Sequence, residues 1–398
     1  MRLLRRISTR QLIALTATII AVAAGATAIA MAASNGGPKP DPKPLPVAVH
    51  DALTAPELKG VSARIQFTNH LIDSSSVQGK DPILTGASGR LWASNDGHLR
   101  LELQGSGNEG ATSDTQVLAD RKQVTVYDSG TNTVYRADLP AGDDATDQTK
   151  SDGPPSLAQV RKAISRAMEH ANLSGATPSD VAGQPAYTVR ITPKHDGGLL
   201  GAAEVAWDAI HGSPLRAAIY ASGDSSPVIE LKVTDISYGP VSSSVFDVTP
   251  PADAKVTNLS PASHGGADHK GEAPVTGLNA VQQQTSFQIT APQTLAGLPK
   301  NEVRLIQTGN DAGALVTYGQ GLGGIAVLEQ PADAKSATSA GGDQGQLQLP
   351  KVRINGVQGD ELDTALGTLL RFQRGGVQYT VVGSVPPAAA EAAARDLW

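Results

Sequence analysis

A glycine-rich run from Gly319 to Gly324 has the spacing G-x-G-x-x-G, which holds a pyrophosphate group in dinucleotide-binding enzymes. That chemistry requires a strand before the run and a helix after it, because the N-terminus of the helix binds the pyrophosphate. Here the apolar residues 325–329 (IAVLE) follow the run, and they predict a strand instead of a helix. The run is therefore interpreted as the loop of a hairpin, and no cofactor is expected.

Other chemically active residue types lack the spacing that a catalytic or metal site needs. His264 and His269 lie in a glycine-rich stretch with no further ligands nearby in the sequence, whereas a metal site needs three or four. Asp143, Asp144 and Asp147 favour a solvated acidic loop over a cation site. The chain has no cysteine, no Gly-x-Ser-x-Gly and no Ser-x-x-Lys sequence. We expect a protein that is not an enzyme and holds no metal, with an enzyme of unrecognised type as a third alternative.

The clearest pattern is a series of short strands between Gly89 and Pro140. Leu99, Leu101 and Leu103 alternate with charged residues, so the three leucines share one face of a strand. By the same alternation Trp92, Tyr127 and Tyr135 are expected on the opposite face, and the pattern leaves open which face is concave. The residues expected to line a hydrophobic cavity are Phe67, Leu91, Leu99, Leu101, Leu103, Val124, Val126 and Val134.

A helix predicted over residues 156–172 is the candidate cover for this apolar face. Ser156 and Gln159 have the spacing of a capping box, and Gly175 can end the helix. Its apolar residues recur at helical spacing, which makes one side suited to packing on a sheet. The alternative is a permanently closed core beneath the helix. The candidate lid residues are Leu157, Val160, Ile164 and Met168.

The N-terminus predicts export from the cytoplasm. Four arginines precede an uncharged apolar stretch, residues 12–33, and together they indicate either a cleaved signal peptide or an N-terminal membrane anchor over residues 1–33. The remainder is expected to be extracytoplasmic, either secreted or anchored to the cell membrane. A net charge of −6 argues against nucleic acid as a partner, because phosphate binding needs a concentrated basic surface.

The rest of the chain divides into two predicted domains. A Pro-rich spacer covers residues 34–46, a first domain residues 47–257, a polar linker residues 258–276 and a smaller α+β domain residues 277–398. A short helix is expected from Val47 to Gly60. Expected strands include residues 245–248 and 286–290.

Three segments in this order resemble a known family. They are residues 64–68 (RIQFT), residues 89–92 (GRLW) and residues 246–251 (FDVTPP). They resemble the LolA/LolB lipoprotein-carrier superfamily, which includes the amino-terminal domain of RseB/MucB-type regulators. The resemblance implies a mainly β, α+β fold: a curved antiparallel half-barrel with a helical lid over a hydrophobic cavity. The arginine that pins the lid in LolA carriers falls on Asn95 here, which puts the usual carrier cycle in doubt.

The second domain adds to this resemblance. Residues 318–321 (YGQG), 355–356 (NG) and 380–384 (TVVGS) resemble the small domains of extracytoplasmic anti-sigma regulators. The family resemblance implies a binding protein for acyl chains, lipid or lipoprotein. The alternative function is an envelope-stress regulator of the RseB/MucB type, which binds a membrane anti-sigma partner.

Overall fold

The computed structural model describes residues 37–72, 86–105, 114–138, 155–194, 197–259, 275–308, 311–332 and 349–398. These residues form two compact units. The first unit contains residues 37–70, most of 86–194 and residues 201–259. The second unit contains residues 275–398 together with two short pieces, residues 71–72 and 197–200. The first domain predicted from the sequence was continuous, whereas these two short pieces of it group with the second unit.

The first unit is built from strands, with two helices. The helices are α1 (Leu45–Thr54) and α2 (Leu157–His170). The strands are β1 (Gly60–Asn69), β2 (Ala87–Ser94), β3 (Leu99–Gly105), β4 (Asp114–Ala119), β5 (Gln123–Asp128), β6 (Thr133–Asp138), β7 (Ala171–Leu173), β8 (Thr177–Val181), β9 (Gln184–Pro193), β10 (Leu200–Asp208), β11 (Pro214–Ala221), β12 (Pro227–Tyr238) and β13 (Lys255–Leu259).

These strands form one curled sheet in the order β13-β6-β5-β4-β3-β2-β1-β12-β11-β10-β9-β7, with β8 paired to β9. The strand pairs with a described register are antiparallel, with one exception: β13 pairs with β6 in parallel. The register of β1 against β12 shifts between Arg64 and Ile65, and that of β11 against β12 shifts next to Ile219. Such irregularities increase strand twist and bend a sheet. The mainly β, α+β fold class with a curved antiparallel half-barrel is confirmed.

The two helices pack at the β7–β10 end of the sheet. Ala48 of α1 packs in an apolar cluster with Tyr187 of β9 and Trp207 of β10. The capping box of Ser156 and Gln159 opens α2 as expected, and α2 packs mainly against α1 and β7. The prediction of a helix to residue 172 was wrong at its end, because the chain extends at Ala171 to pair with β9.

The second unit is an eight-stranded sheet with two helices, α3 (Leu278–Gln282) and α4 (Pro387–Arg395). Its strand order is β14-β15-β16-β17-β21-β20-β19-β18. Its core lies on the sheet face that carries Val316, Val327, Leu370 and Val381, all fully buried. The strands are β14 (Thr294–Leu295), β15 (Leu298–Thr308), β16 (Asp311–Tyr318), β17 (Ile325–Pro331), β18 (Lys351–Ile354), β19 (Val357–Thr364), β20 (Gly367–Arg374) and β21 (Val377–Gly383).

Several predicted boundaries differ from the structure. Helix α1 begins at Leu45, inside the predicted spacer, because Pro46 is favourable in the first turn of a helix. Residues 243–245 form a 3₁₀ turn where a strand was expected, and residues 286–290 are irregular. In the described ranges, no helix is long and apolar enough to cross a membrane; the predicted leader, residues 1–33, lies outside them.

A carboxyl group is buried in the core of the second unit. Glu329 of β17 is 0% exposed and pairs with Ala314 of β16 and Tyr379 of β21. Its Oε2 accepts a hydrogen bond from the backbone N–H of Thr290 at 2.8 Å. Burial raises the pKa of Glu329 to about 8, and the Thr290 hydrogen bond acts in the opposite direction. The carboxyl group is therefore protonated at neutral pH.

This buried acid makes the stability of the second unit depend on pH. The folded pKa lies above the value of 4.5 for a free glutamate, so the stabilisation is complete below pH 4.5 and is lost as pH rises towards 8. We expect the free energy of unfolding to fall by up to about 1.4 kcal/mol per pH unit in this window. Glu329→Gln should flatten the slope measured by chemical denaturation, whereas Glu302→Gln, at a side chain that is 41% exposed, should retain it. An unchanged slope in Glu329→Gln would contradict the assignment.

Candidate functional site

The apolar residues of the first six strands form a single continuous face. Directly opposed residues of an antiparallel pair lie on the same side of the sheet, so the pairing register assigns each residue to a face. Six strands at about 4.8 Å spacing make this face about 24 Å wide. We define the leucine face by its central row, which consists of Ala63, Leu91, Leu101, Val117, Val126 and Tyr135.

Two flanking rows extend the leucine face along the strands. One row runs through Val61, Ala93, Leu99, Ala119, Val124 and Ala137. The other contains Ile65, Gly89, Leu103, Thr115, Asp128 and Thr133, and so becomes polar towards β6. Phe67 lies beyond this second row, opposite Ala87. The apolar character is therefore strongest in the central and first flanking rows.

The side chains of the leucine face differ in how far they are buried. Ile65 and Leu103 are buried in an apolar cluster that continues through Val233 and Leu215 into the β8–β11 part of the sheet. Leu91 and Leu101 pack against this cluster but are only half-buried. The remaining predicted cavity residues on this face are also half-buried, namely Phe67, Leu99, Val124 and Val126. The outer part of the face thus keeps some of its apolar surface exposed to solvent.

Val134 and Tyr135 lie on the opposite faces from those predicted. Val134 pairs with Tyr127 on the other side of the sheet, and Tyr135 pairs with Val126 on the leucine face. The prediction was wrong because the turn between β5 and β6 fixes which residues of β6 face each way, and the composition of β6 does not reveal this. Val134 is 1% exposed and does not line a cavity on the leucine face.

The segment that follows β12 contacts the face opposite the leucine face. Arg100 donates a hydrogen bond through Nη1 to the carbonyl oxygen of Val245 at 2.7 Å, and it also pairs with Glu102. Farther along, Asn132 donates to a carboxylate oxygen of Asp253 at 3.0 Å. Strand β13 then pairs with β6. Residues 239–259 thus contact this side of the sheet at β3 and extend the sheet at the edge next to β6.

A glycine in the leucine face sets the spacing of two strands. A Cβ atom on Gly89 would lie 1.9 Å from the carbonyl oxygen of Glu102. No side chain fits at that distance, so β2 and β3 approach each other closely only with glycine there. The Leu103 side chain lies over this glycine, since the same Cβ atom would be 3.2 Å from Leu103 Cδ2.

The four predicted lid residues have different environments. Val160 is 4% exposed, whereas Leu157 and Ile164 are half-buried and Met168 is 47% exposed. The helix that carries them packs mainly on α1 and β7. The role of these residues as a lid, and the alternative of a permanently closed core beneath α2, both stay predictions.

A half-buried ion cluster lies on β9–β12, and sequence reasoning did not find it. Glu204 accepts hydrogen bonds from Arg190 at 2.7 Å, Arg216 at 2.6 Å and the Tyr220 hydroxyl at 2.8 Å. Burial by itself raises the pKa of Glu204, but these three donors lower it below the usual value. Arg216 also pairs with Glu230 at 2.5 Å. Each charge is satisfied by a neighbour, so the cluster stabilises the sheet and offers no free catalytic group.

The remaining sequence candidates do not form a site. The run Gly319–Gly324 connects two antiparallel strands, β16 and β17, so its interpretation as a hairpin loop is confirmed. Asn95 is exposed in the turn after β2. The acidic residues of 143–147 and both His264 and His269 lie outside the described residues. Among the described residues, no group of three or more potential metal ligands comes together.

Comparison with known proteins gives matches among solved structures alone. No protein-family model and no curated protein match the chain. MucB in complex with MucA(peri) matches at 15% identity and a TM-score of 0.39, covering 87% of this chain and 95% of MucB. An uncharacterized conserved protein from Thermus thermophilus matches at 15% identity and a TM-score of 0.31, covering 54% of this chain and 96% of that one.

A LolA superfamily protein from Nitrosomonas europaea matches at 9% identity and a TM-score of 0.22, covering 52% of this chain and 98% of that one. MucB and the LolA superfamily are also the groups that the sequence resemblance names. At these identities no ligand and no residue role is transferred from them.

The assignment of faces is testable by thiol labelling, because the chain has no cysteine of its own. Val126→Cys places a thiol on the half-buried leucine face, and Val134→Cys places one on the opposite face of the next strand, where it is buried. A buried thiol reacts only after local opening, so we expect Val126→Cys to be modified roughly tenfold faster by a maleimide. Equal rates in the folded protein would show that the two faces are assigned wrongly.

Proposed function

We propose that this protein is a non-enzymatic, extracytoplasmic binding protein that holds an acyl chain, a lipid or a lipoprotein through its acyl chains against the leucine face. The observation that carries the proposal is the width and openness of this face. Leu91, Leu99, Leu101 and Val126 form an apolar surface that is only half-buried. A soluble domain normally buries such a surface or uses it for binding.

The chemistry of the leucine face favours an apolar chain over a polar ligand. Its central and first flanking rows contain no charged residue. The strands β1–β5 are paired on both sides, so their backbone groups are not available to bind a peptide as an added strand. What remains is burial of methylene groups, worth about 0.8 kcal/mol each. We propose that the ligand lies across the strands and that α1 and α2 act as the lid.

A second candidate function is an envelope-stress regulator of the RseB/MucB type that binds the extracytoplasmic segment of a membrane anti-sigma partner. The observation that favours it is the second unit, which has its own sheet and its own core. A protein that only carries a lipid needs a single cavity. Cross-linking in membranes separates the two functions: recovery of a transmembrane regulator supports the second, and recovery of lipid alone supports the first.

Leu101→Asp is expected to weaken binding of a fluorescent fatty acid strongly. It places a carboxylate in the centre of the leucine face, where contact with an acyl chain would desolvate the charge. We expect the dissociation constant to rise by at least about tenfold, which is ~1.4 kcal/mol. The measurement is a fluorescence titration of the full chain, with lipid extraction and native mass spectrometry to identify any ligand that copurifies.

The matched control is Thr125→Asp, which adds the same charge to the opposite face of β5. It should bind as the unmodified protein does. Leu101→Ala removes apolar surface without adding a charge and should weaken binding by a smaller factor, which separates loss of the site from misfolding. The proposal fails if no amphiphile copurifies and the titration shows no binding, or if Leu101→Asp and Thr125→Asp bind alike.

A further inference from the structure

The leucine face ends in polar side chains at its border between β6 and β13. Strand β13 pairs with β6 in parallel, with Thr257 beside Tyr135 and Lys255 beside Thr133. Directly paired residues of neighbouring strands project to the same side of a sheet, so Thr257 and Lys255 lie on the leucine face, as Tyr135 does. The central row of this face therefore continues through Tyr135 to Thr257, and its polar flanking row continues through Thr133 to Lys255.

Three polar groups at this border have no hydrogen-bond or ion-pair partner in the described part of the chain. They are the hydroxyl groups of Tyr135 and Thr257 and the ammonium group of Lys255. Tyr135 and Thr257 are half-buried, whereas Lys255 is exposed. Neighbouring strands place Thr257 about 5 Å from Tyr135, and Lys255 precedes Thr257 by about 7 Å along β13. These three donors are close enough to bind one headgroup.

Two carboxylates near this border are held by other groups. Asp128 lies in the polar flanking row, but its two oxygens accept hydrogen bonds from groups of its own turn at 2.9 Å and 2.7 Å. Asp253, two residues before Lys255, accepts a hydrogen bond from Asn132 at 3.0 Å. Neither carboxylate forms an ion pair with Lys255. The positive charge of Lys255 is therefore able to pair with an anionic group of a ligand.

The other end of the central row is apolar and more deeply buried. Ala63 of β1 is buried, and it pairs with Ile236 of β12. Ile236 and Ala182 pack against the same apolar cluster as Leu91. From Val126 to Ala63 the row is apolar and crosses five strands, which is a distance of about 19 Å. An extended acyl chain of about 15 methylene groups has this length.

We propose that the ligand of the leucine face is an amphiphile with an anionic headgroup, which Lys255, Tyr135 and Thr257 bind while the acyl chain follows the central row towards β1. This inference rests on the proposed function and narrows its ligand class. The headgroup is an anionic oxygen group, either the carboxylate of a fatty acid or the phosphate of a phospholipid. Hydrogen bonds from an ammonium and from hydroxyl groups to such an anion are stronger than those to an uncharged acceptor.

Two fluorescent probes with the same acyl chain test the headgroup on the full chain. One is cis-parinaric acid, a naturally fluorescent fatty acid, and the other is its uncharged methyl ester. Both are titrated above neutral pH, where the acid is ionised. We expect the acid to bind about fivefold more tightly than the ester, which is the effect of one solvent-exposed ion pair. The difference should shrink as salt is added.

Substitutions at the border identify the groups responsible. Lys255→Gln should remove the preference and leave the affinity for the ester unchanged, because only the acid carries the anion. Tyr135→Phe should weaken binding of both probes by about fivefold, since the hydroxyl can donate to either headgroup. The matched controls lie on the opposite face: Arg90→Gln removes an exposed charge and Tyr127→Phe removes a hydroxyl. Both controls should bind the probes as the unmodified protein does.

Competition distinguishes the two kinds of anion. Lysophosphatidylglycerol and lysophosphatidylcholine of equal chain length are used to displace the acid probe. If the first displaces it at a lower concentration, and Lys255→Gln removes that difference, the headgroup is a phosphate. If the two compete alike and an unlabelled fatty acid competes better than both, the headgroup is a carboxylate.

The direction of the acyl chain is tested by NMR with fatty acids that carry a nitroxide near the carboxylate or near the methyl end. The first should broaden the signals of Tyr135 and Thr257, and the second those of Ala63 and Leu91. A reversed pattern, or equal binding of acid and ester to the unmodified protein, overturns this inference and leaves the proposed function standing. If neither probe binds, both are wrong.

Discussion

The pairing of β1 with β12 is the interaction on which the first unit depends. It joins Val61 to Tyr238 and Phe67 to Leu231, and so connects strands that are far apart in the sequence. On its other edge β1 pairs with β2 and begins the run of neighbouring strands that carries the leucine face. A shift of one residue in this register would turn every leucine of β2 and β3 away from the cluster of Ile65 and Val233. The register of β1 with β12 thus determines on which side of the sheet the leucine face lies.

Local sequence patterns were sufficient for some of this architecture. Alternation in β3 correctly placed Leu99, Leu101 and Leu103 together, because charged residues between them leave a single apolar side. The capping residues Ser156 and Gln159 located the start of α2. In both places the information lies within a few residues of the element that it determines.

Other features depend on partners that are distant in the sequence. The turn before β6 determines which side of the sheet Val134 and Tyr135 face. The composition of β6 alone assigned each of them to the wrong side. Strand β7 forms at Ala171 because β9 is available to pair with it. In the sequence, the charges of Glu204, Arg190 and Arg216 are part of an ordinary alternation of polar and apolar residues. The pairing of three strands in the fold brings them together. The contact between Val245 and Arg100 is likewise long-range.

The distance along the chain between β1 and β12 has a consequence for how the protein folds. As synthesis proceeds from the N-terminus, β1 to β6 are complete long before β12 exists. Until β12 arrives, one edge of β1 has no partner, and the apolar rows beside it have no β12 to pack against. Closing so long a loop is entropically costly, and sheets dominated by such contacts fold slowly. An exposed apolar edge in a slow-folding intermediate is prone to aggregate, so the unpaired edge of β1 is a point at which the partly folded chain can associate wrongly.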